Sequence, residues 1–506
     1  MKYNTLNYFV KRGSYLSLMV MLFAGCACSE TNKSNSEPNG KEENKTETAH
    51  DVSVLTTSAD RSRELVRNSL EFSKRDNMSP STITLKPSET FQTMDGFGTA
   101  ITGSTCHNLL KMAPEDRAKF LKETFHPTEG VGFGYVRISI GCSDFSLQEF
   151  TCCDTPGLEN FALSSEDKEM IIPVLKEILT YAPDLKIIGS PWTCPKWMKV
   201  KDLKSLTPYD SWTSGHLNPK YYEDYGNYFV KWIQAYEAAG IPIYAITPQN
   251  EPLNRGNSAS LFMGWDEQRE FIKRGLGPAM TNAGLKTKIY AFDHNYNYDN
   301  MESQRGYVTK IYEDPDASKY LTGAAYHNYG GNKDELLKVH NAAPRKELIF
   351  TETSIGEWND GRNLSTRLCE DMREVALGTV NNFCKAVIVW NLMLDSEKGP
   401  NRPGGCQTCY GAVDISSRDY KTLTRNSHYF IIAHLSSVVR PGAVRIGTDG
   451  FTAQGLVYAA FKNTDGTYAF VACNDAAEER SMTLSDGTHH FTAKVPPHSV
   501  ASFSWK

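Results

Sequence analysis

Tyr244-Ala245-Ile246-Thr247-Pro248-Gln249-Asn250-Glu251-Pro252 is a short β-type run that stops at a carboxylate. Farther along the chain, Leu348-Ile349-Phe350-Thr351-Glu352 stops the same way. Each places a glutamate where apolar strand residues give way to polar loop. In a parallel (β/α) barrel, reacting groups collect at the C-terminal ends of the strands. Strand ends also carry acids as caps or solvated charges, so neither glutamate decides anything alone. Together, on two strands of one barrel, they can face each other across a pocket.

The runs around them complete that barrel. Short apolar segments alternate with helical ones from about residue 93, the pattern of a parallel α/β architecture. Strands are expected at 93–98, 134–140, 186–191, 243–247, 288–292, 323–327, 347–351 and 386–390. Helices are expected between them, among others at 165–181, 219–239 and 266–283. The second begins at Pro219 and is followed by Gly240, the usual asymmetry of helix ends. Eight strands with helical crossovers predict a (β/α)8 TIM barrel over 93–427. The tail reads differently. Val438-Val439, 456–461 and 468–472 are β-type runs, and Asn463-Thr464-Asp465-Gly466 turns between the last two. An antiparallel β-sandwich is therefore expected over 428–506, with 79–92 supplying a further strand.

The start of the chain has another character. Lys2, Lys11 and Arg12 precede the apolar stretch 15–25, and Leu22-Phe23-Ala24-Gly25-Cys26 resembles a bacterial lipobox. The stretch is short for a membrane span. A lipoprotein signal peptide over 1–25 is expected, with the acylated Cys26 and a polar tether over 26–78, most plainly polar at 29–50. The reading puts the mature protein outside the cytoplasm, at the outer membrane or cell surface, with the periplasmic face as the other option. A lipid is its only link to the membrane.

Composition excludes some partners. The 54 basic and 59 acidic residues are interspersed and the net charge is -5, so no basic face recommends nucleic acid. Oligomeric state is not legible. Of twelve cysteines, Cys406 and Cys409 form a CxxC and Cys152 and Cys153 are adjacent. No second pair follows at zinc spacing, so structural disulfides or buried thiols are expected and no metal or cofactor.

Two facing carboxylates are the minimum for cleaving a glycosidic bond: a proton donor, and a nucleophile or base. Arg137, Trp192, Asn250, His327, Tyr329 and Trp390 fall at or near strand ends beside them. The segments Asp95-Gly96-Phe97-Gly98, Arg137-Ile138-Ser139, Ser190-Pro191-Trp192, Gln249-Asn250-Glu251-Pro252 and Trp390-Asn391-Leu392 resemble glycoside hydrolase family 30, from about residue 80 to the C-terminus. Within it the chain looks most similar to bacterial β-1,6-glucanases, and next to the glucosylceramidase branch.

The resemblance implies a retaining hydrolase with Glu251 as acid/base and Glu352 as nucleophile. Asn250 would bond the sugar 2-hydroxyl, and Arg137 and Tyr329 would hold Glu352 ionised. Asp95, Trp192 and Trp390 would line the sugar pocket, and His327 would contact sugar or support the site's floor. Glu251 is expected to be protonated at rest, raised by the charge of Glu352. The implied substrate is a β-1,6-glucan cut internally. An exo-acting β-glucosidase, a glucosylceramidase-like enzyme, a xylanase and a non-catalytic sugar-binding lipoprotein stay open as alternatives.

Overall fold

In the computed structural model, residues 51–74 and 79–506 are described. Eight parallel strands close into a barrel: Gly96–Ala100, Tyr135–Ser139, Lys186–Ser190, Ala245–Ile246, Lys288–Asn295, Gly323–His327, Glu347–Glu352 and Cys384–Val389. The last pairs in parallel with the first, Ala386 opposite Gly96. These runs are largely apolar because both faces are covered, the outer by helices and the inner by the barrel core. Tyr135, Ile188, Ala245, Tyr290, Ala325 and Ile349 fill the interior, mixing large and small side chains.

The helix after the third strand shows how the outer layer is built. Tyr222–Ala238 buries Tyr225, Phe229, Trp232, Ile233 and Tyr236, one face at helical spacing. The Asn218 side chain caps the turn that leads into it, accepting from the Lys220 N–H at 3.1 Å. Gly189 on the third strand lets this helix approach, since a Cβ there would lie 2.6 Å from the Trp232 ring. The two other expected helices are each interrupted by a π turn, at Asp167–Ile171 and Ile272–Leu276. Pro173 and Pro278 follow these turns, and neither has an N–H for the regular ladder. Among the described residues no helix is long and apolar enough to cross a membrane.

The sandwich is one nine-stranded sheet folded on itself. Thr82–Thr93 is its shared member, antiparallel to Val444–Gly450 and parallel to Arg480–Ser485. Ile83, Leu85, Phe470, Phe491, Phe503 and Trp505 pack between the layers.

Two expectations fail here. Residues 52–58 and 66–70, read as tether, are strands of this sheet: Val52–Ser58 pairs along its whole length with Ser499–Trp505. The partner lies at the opposite end of the chain, so nothing local announces the pairing. Residues 428–436, read as the start of the sandwich, belong to the helix Ser427–Ser436, with every residue buried. It lies between barrel and sandwich and is buried on all sides, with apolar residues all round it, which removes the helical periodicity that would have marked it. Its His434 bridges Thr57 Oγ1 and Ser502 Oγ of the sandwich at 2.9 and 2.8 Å, and burial presses its pKa down to about 3. Val438-Val439 simply follows this helix.

Candidate active site

At the C-terminal end of the barrel, Arg137 from the second strand is fully buried and reaches three strand ends at once. Its guanidinium donates to Glu352 Oε2 at 2.6 Å, to Asp293 Oδ2 at 2.8 Å and to Asn250 Oδ1 at 2.7 Å. It also lies 5.0 and 5.2 Å from the rings of Trp192 and Trp390. A cation out of water is stable only with such partners, and stripping one from it costs about 3–5 kcal/mol.

Asp293 is the hub. It accepts from Thr247 and Thr351 hydroxyls at 2.7 and 2.6 Å, and pairs with His327 Nε2 at 3.0 Å. Burial alone would raise it, but Arg137 and His327 hold it well below the usual carboxylate range. The fifth strand delivers it through a bulge between Phe292 and His294, with Phe292 and Asp293 at φ 71° and 68°. Glu251 is also left-handed, at φ 44°, with its N–H fixed on the Asp293 carbonyl at 2.9 Å. Such backbone in bulky residues costs about 1–3 kcal/mol each and persists only where the surroundings enforce it.

The two glutamates meet on this floor. Glu352 accepts from Arg137 and, at 3.0 Å, from the Tyr329 hydroxyl. Glu251 Oε1 pairs with His327 Nδ1 at 3.3 Å, while Oε2 accepts from Asn254 and Asn257 amides at 2.7 and 3.3 Å. One donor atom from each of Glu251, His327 and Glu352 falls within 4.8 Å of the others. A divalent cation could be imagined among three such atoms. However, each carboxylate oxygen already has a nitrogen or hydroxyl neighbour, and a metal would face the fixed charge of Arg137. The set is better built for moving a proton.

That proton is not where the sequence suggested. Burial works against the Glu251 carboxylate, yet the His327 hydrogen bond, the charges of His294 and His327, and Asn254 hold it below the usual glutamate range. Glu352 is the one raised, by burial and then by the charges of Glu251 and Asp293, against His327 and Arg137. Burial disfavours the His327 cation, but Glu352, Asp293 and Glu251 together raise its pKa to about 9. These shifts favour a protonated His327, one hydrogen bond away from Glu251.

The floor opens into a cavity of about 1040 Å³, lined among others by Glu251, Glu352, Asp144, Tyr329 and Trp390. Asn250 sits beneath it; with Oδ1 taken by Arg137, its amide N–H2 is the unengaged end. Trp390 faces the cavity, whereas Trp192 is buried behind it, stacked ring to ring at 5.0 Å. Asp95 was misplaced altogether. It precedes the first barrel strand, so it lies at the opposite, N-terminal end, bonded to Lys186 Nζ at 3.1 Å and Tyr244 OH at 3.0 Å beside Lys385.

Asp293, His294 and Asp144 escaped the sequence reading. Asp293 and His294 follow Ile289-Tyr290-Ala291-Phe292, the same strand-end signal as the glutamates. Asp144 comes just after the second strand. Burial and the charges of Glu352 and Glu251 raise it to about 8, and its buried Oδ1 has no protein partner. At neutral pH it is a carboxylic acid able to both donate to and accept from a sugar hydroxyl. Of the cysteines, Cys406 and Cys409 form a disulfide at the cavity rim, and the other eight described are buried thiols. Cys26 lies outside the described residues.

The glycosyl hydrolase family 30 TIM-barrel domain matches residues 94–439, and the family 30 β-sandwich domain matches 442–503. A solved endo-β1,6-glucanase is 66% identical, with a TM-score of 0.88 over 90% of this chain and 99% of its own. The endo-1,6-β-D-glucanase of Neurospora crassa is 32% identical over 80% of this chain and 83% of that protein. The lysosomal acid glucosylceramidase of Mus musculus is 27% identical over 84% and 83%. The chain belongs to glycosyl hydrolase family 30.

Proposed function

We propose that this enzyme cuts β-1,6-glucan internally with retention of configuration, using Glu352 as nucleophile and Glu251 as acid/base. The spacing carries the mechanistic half. One carboxylate oxygen from each glutamate lies within 4.8 Å of the other, which favours the close pairing of retaining enzymes, roughly 5–5.5 Å between carboxyl groups, over the wider gap that admits an attacking water. The 66% identity to an endo-β1,6-glucanase across nearly the whole barrel and sandwich supports the substrate half. A cavity that continues well past Glu352 suits a polymer. The exocyclic carbon of a β-1,6 linkage lets the chain bend into such a space. At equal enzyme, pustulan should be cleaved to a range of oligosaccharides, ahead of laminarin, cellulose derivatives, xylan and glucosylceramide. Glucose as sole product, or preference for xylan or glucosylceramide, refutes this substrate.

In the first step Glu352 attacks the anomeric carbon while the departing oxygen takes a proton from Glu251. That proton comes from His327 Nδ1, because Nε2 is committed to Asp293. Esterification removes the Glu352 charge, which had been supporting the His327 cation. Both Glu251 and His327 are then free of the proton, and Glu251 can accept one from the incoming water. When water has displaced Glu352, the proton returns to His327. In this reading the Asn250 amide N–H2, not engaged by Arg137, donates to the 2-hydroxyl, a hydrogen bond that strengthens as the oxocarbenium ion develops.

The sign of the pH dependence follows. Activity needs Glu352 ionised, so kcat/KM rises through a limb above the ordinary glutamate pKa. It needs a proton on His327, so it falls again through about pH 9. A profile still flat at pH 10, or an acid limb below pH 4, would contradict this charge assignment.

We also propose export and anchoring by acylation of Cys26, on the strength of the lipobox-like segment. Cys26→Ala should move the protein from membrane fractions to the soluble fraction. Wild-type protein that is already soluble would exclude the anchor.

A further inference from the structure

Trp358 is exposed over 53% of its surface while lining the same cavity as Glu352. A single exposed apolar side chain is ordinary on a protein surface, but this one lines the active-site cavity and is held in place. It sits on the turn Glu357–Asn359, directly after the Glu352 strand. A Cβ at Gly356 would come within 2.0 Å of the Trp358 ring, so the indole rests on the glycine itself. Asn359 Oδ1 accepts from the Gly356 N–H at 3.0 Å, and the Gly361 N–H returns to the Gly356 carbonyl at 2.9 Å. Asp360, at φ 54°, reverses the chain between them.

This turn is fastened to a second loop. Ile355 and Gly356 pair antiparallel with Tyr410 and Cys409, and the Glu357 N–H donates to the Thr408 carbonyl at 2.9 Å. Lys398 pairs with Glu357 at 2.6 Å. The second loop is closed on itself by the Cys406–Cys409 disulfide, whose two residues line the cavity with Trp358. An indole that needed only shelter would have folded into the rim. Here two loops, a glycine contact and a disulfide hold the indole at the cavity with more than half of its surface exposed.

We infer that Trp358 is a stacking platform for a glucosyl residue neighbouring the one held at Glu352, and that the Cys406–Cys409 loop fixes its position. This rests on the polysaccharide reading above. A pyranose ring offers the C–H face that an aromatic ring covers well, and a rigid ring loses little entropy on contact. The platform serves polymer and not a single-sugar substrate.

The test is the ratio of kcat/KM on β-1,6-glucan to that on 4-nitrophenyl β-glucoside. Trp358→Ala should lower the ratio about ten-fold, mainly through KM. Trp358→Phe should keep most of it. The Cys406→Ser, Cys409→Ser double variant should lower it in the same direction. An unchanged ratio in Trp358→Ala overturns the platform, and so does an equal loss in Trp358→Phe, which would point to loop structure instead of ring stacking. An unchanged ratio in the cysteine variant overturns the role of the disulfide. If the wild type fails on β-1,6-glucan but cleaves another glucan, the substrate reading fails, and the same ratio on that glucan judges the platform.

Discussion

Glu352→Gln is expected to remove activity on every substrate, with kcat falling about 10⁴-fold or more. An amide oxygen is a poor nucleophile, and no glycosyl ester forms to be hydrolysed. The surroundings sharpen the effect. Arg137 and Tyr329 are arranged to donate to a carboxylate, and a neutral amide turns an N–H2 towards one of those donors. Activated aryl glycosides should give no relief, because good leaving groups still need an attacking group. Measured kcat on pustulan and on an aryl glucoside checks this. Substantial residual turnover on either would remove Glu352 from the role.

Glu251→Ala should behave differently. On natural glucan the loss should be about 10²–10⁴-fold, the usual worth of a positioned proton donor. On aryl glycosides with acidic leaving groups the first step should survive, since those groups depart with little protonation. The glycosyl-enzyme should then accumulate, because no base activates water. Azide needs no general base and fits the space left by the missing carboxylate, so it should restore turnover and yield a glycosyl azide. Equal losses on activated and natural substrates, without rescue, would mean the two roles are misassigned.

Much of this architecture was legible in the chain because barrel strands are buried on both faces. Runs such as Gly323–His327 and Glu347–Glu352 are continuous enough to be seen without context. The two glutamates stood out for the complementary reason, a charge at the end of such a run. Misreadings arose where a residue's meaning depends on something distant. Asp95 sits beside an apolar strand as the glutamates do, but before it, and so at the other end of the barrel. Val52–Ser58 is a strand only because Ser499–Trp505 lies beside it. The proton on His327 depends on three carboxylates, Glu352, Asp293 and Glu251, converging from three strands or their ends, and local sequence carries no trace of that sum. Asp293 belongs to the same set: only the bulge at Phe292 turns it into the site.

The central claim is a double displacement on a β-1,6-glucan, performed by two carboxylates too close to admit water between them. Proton NMR of the first products from pustulan, recorded before mutarotation, tests it most directly. The account predicts that new reducing ends appear as the β anomer, on oligosaccharides of several lengths, with the α anomer growing in only later. Reducing ends that appear first as the α anomer would contradict it.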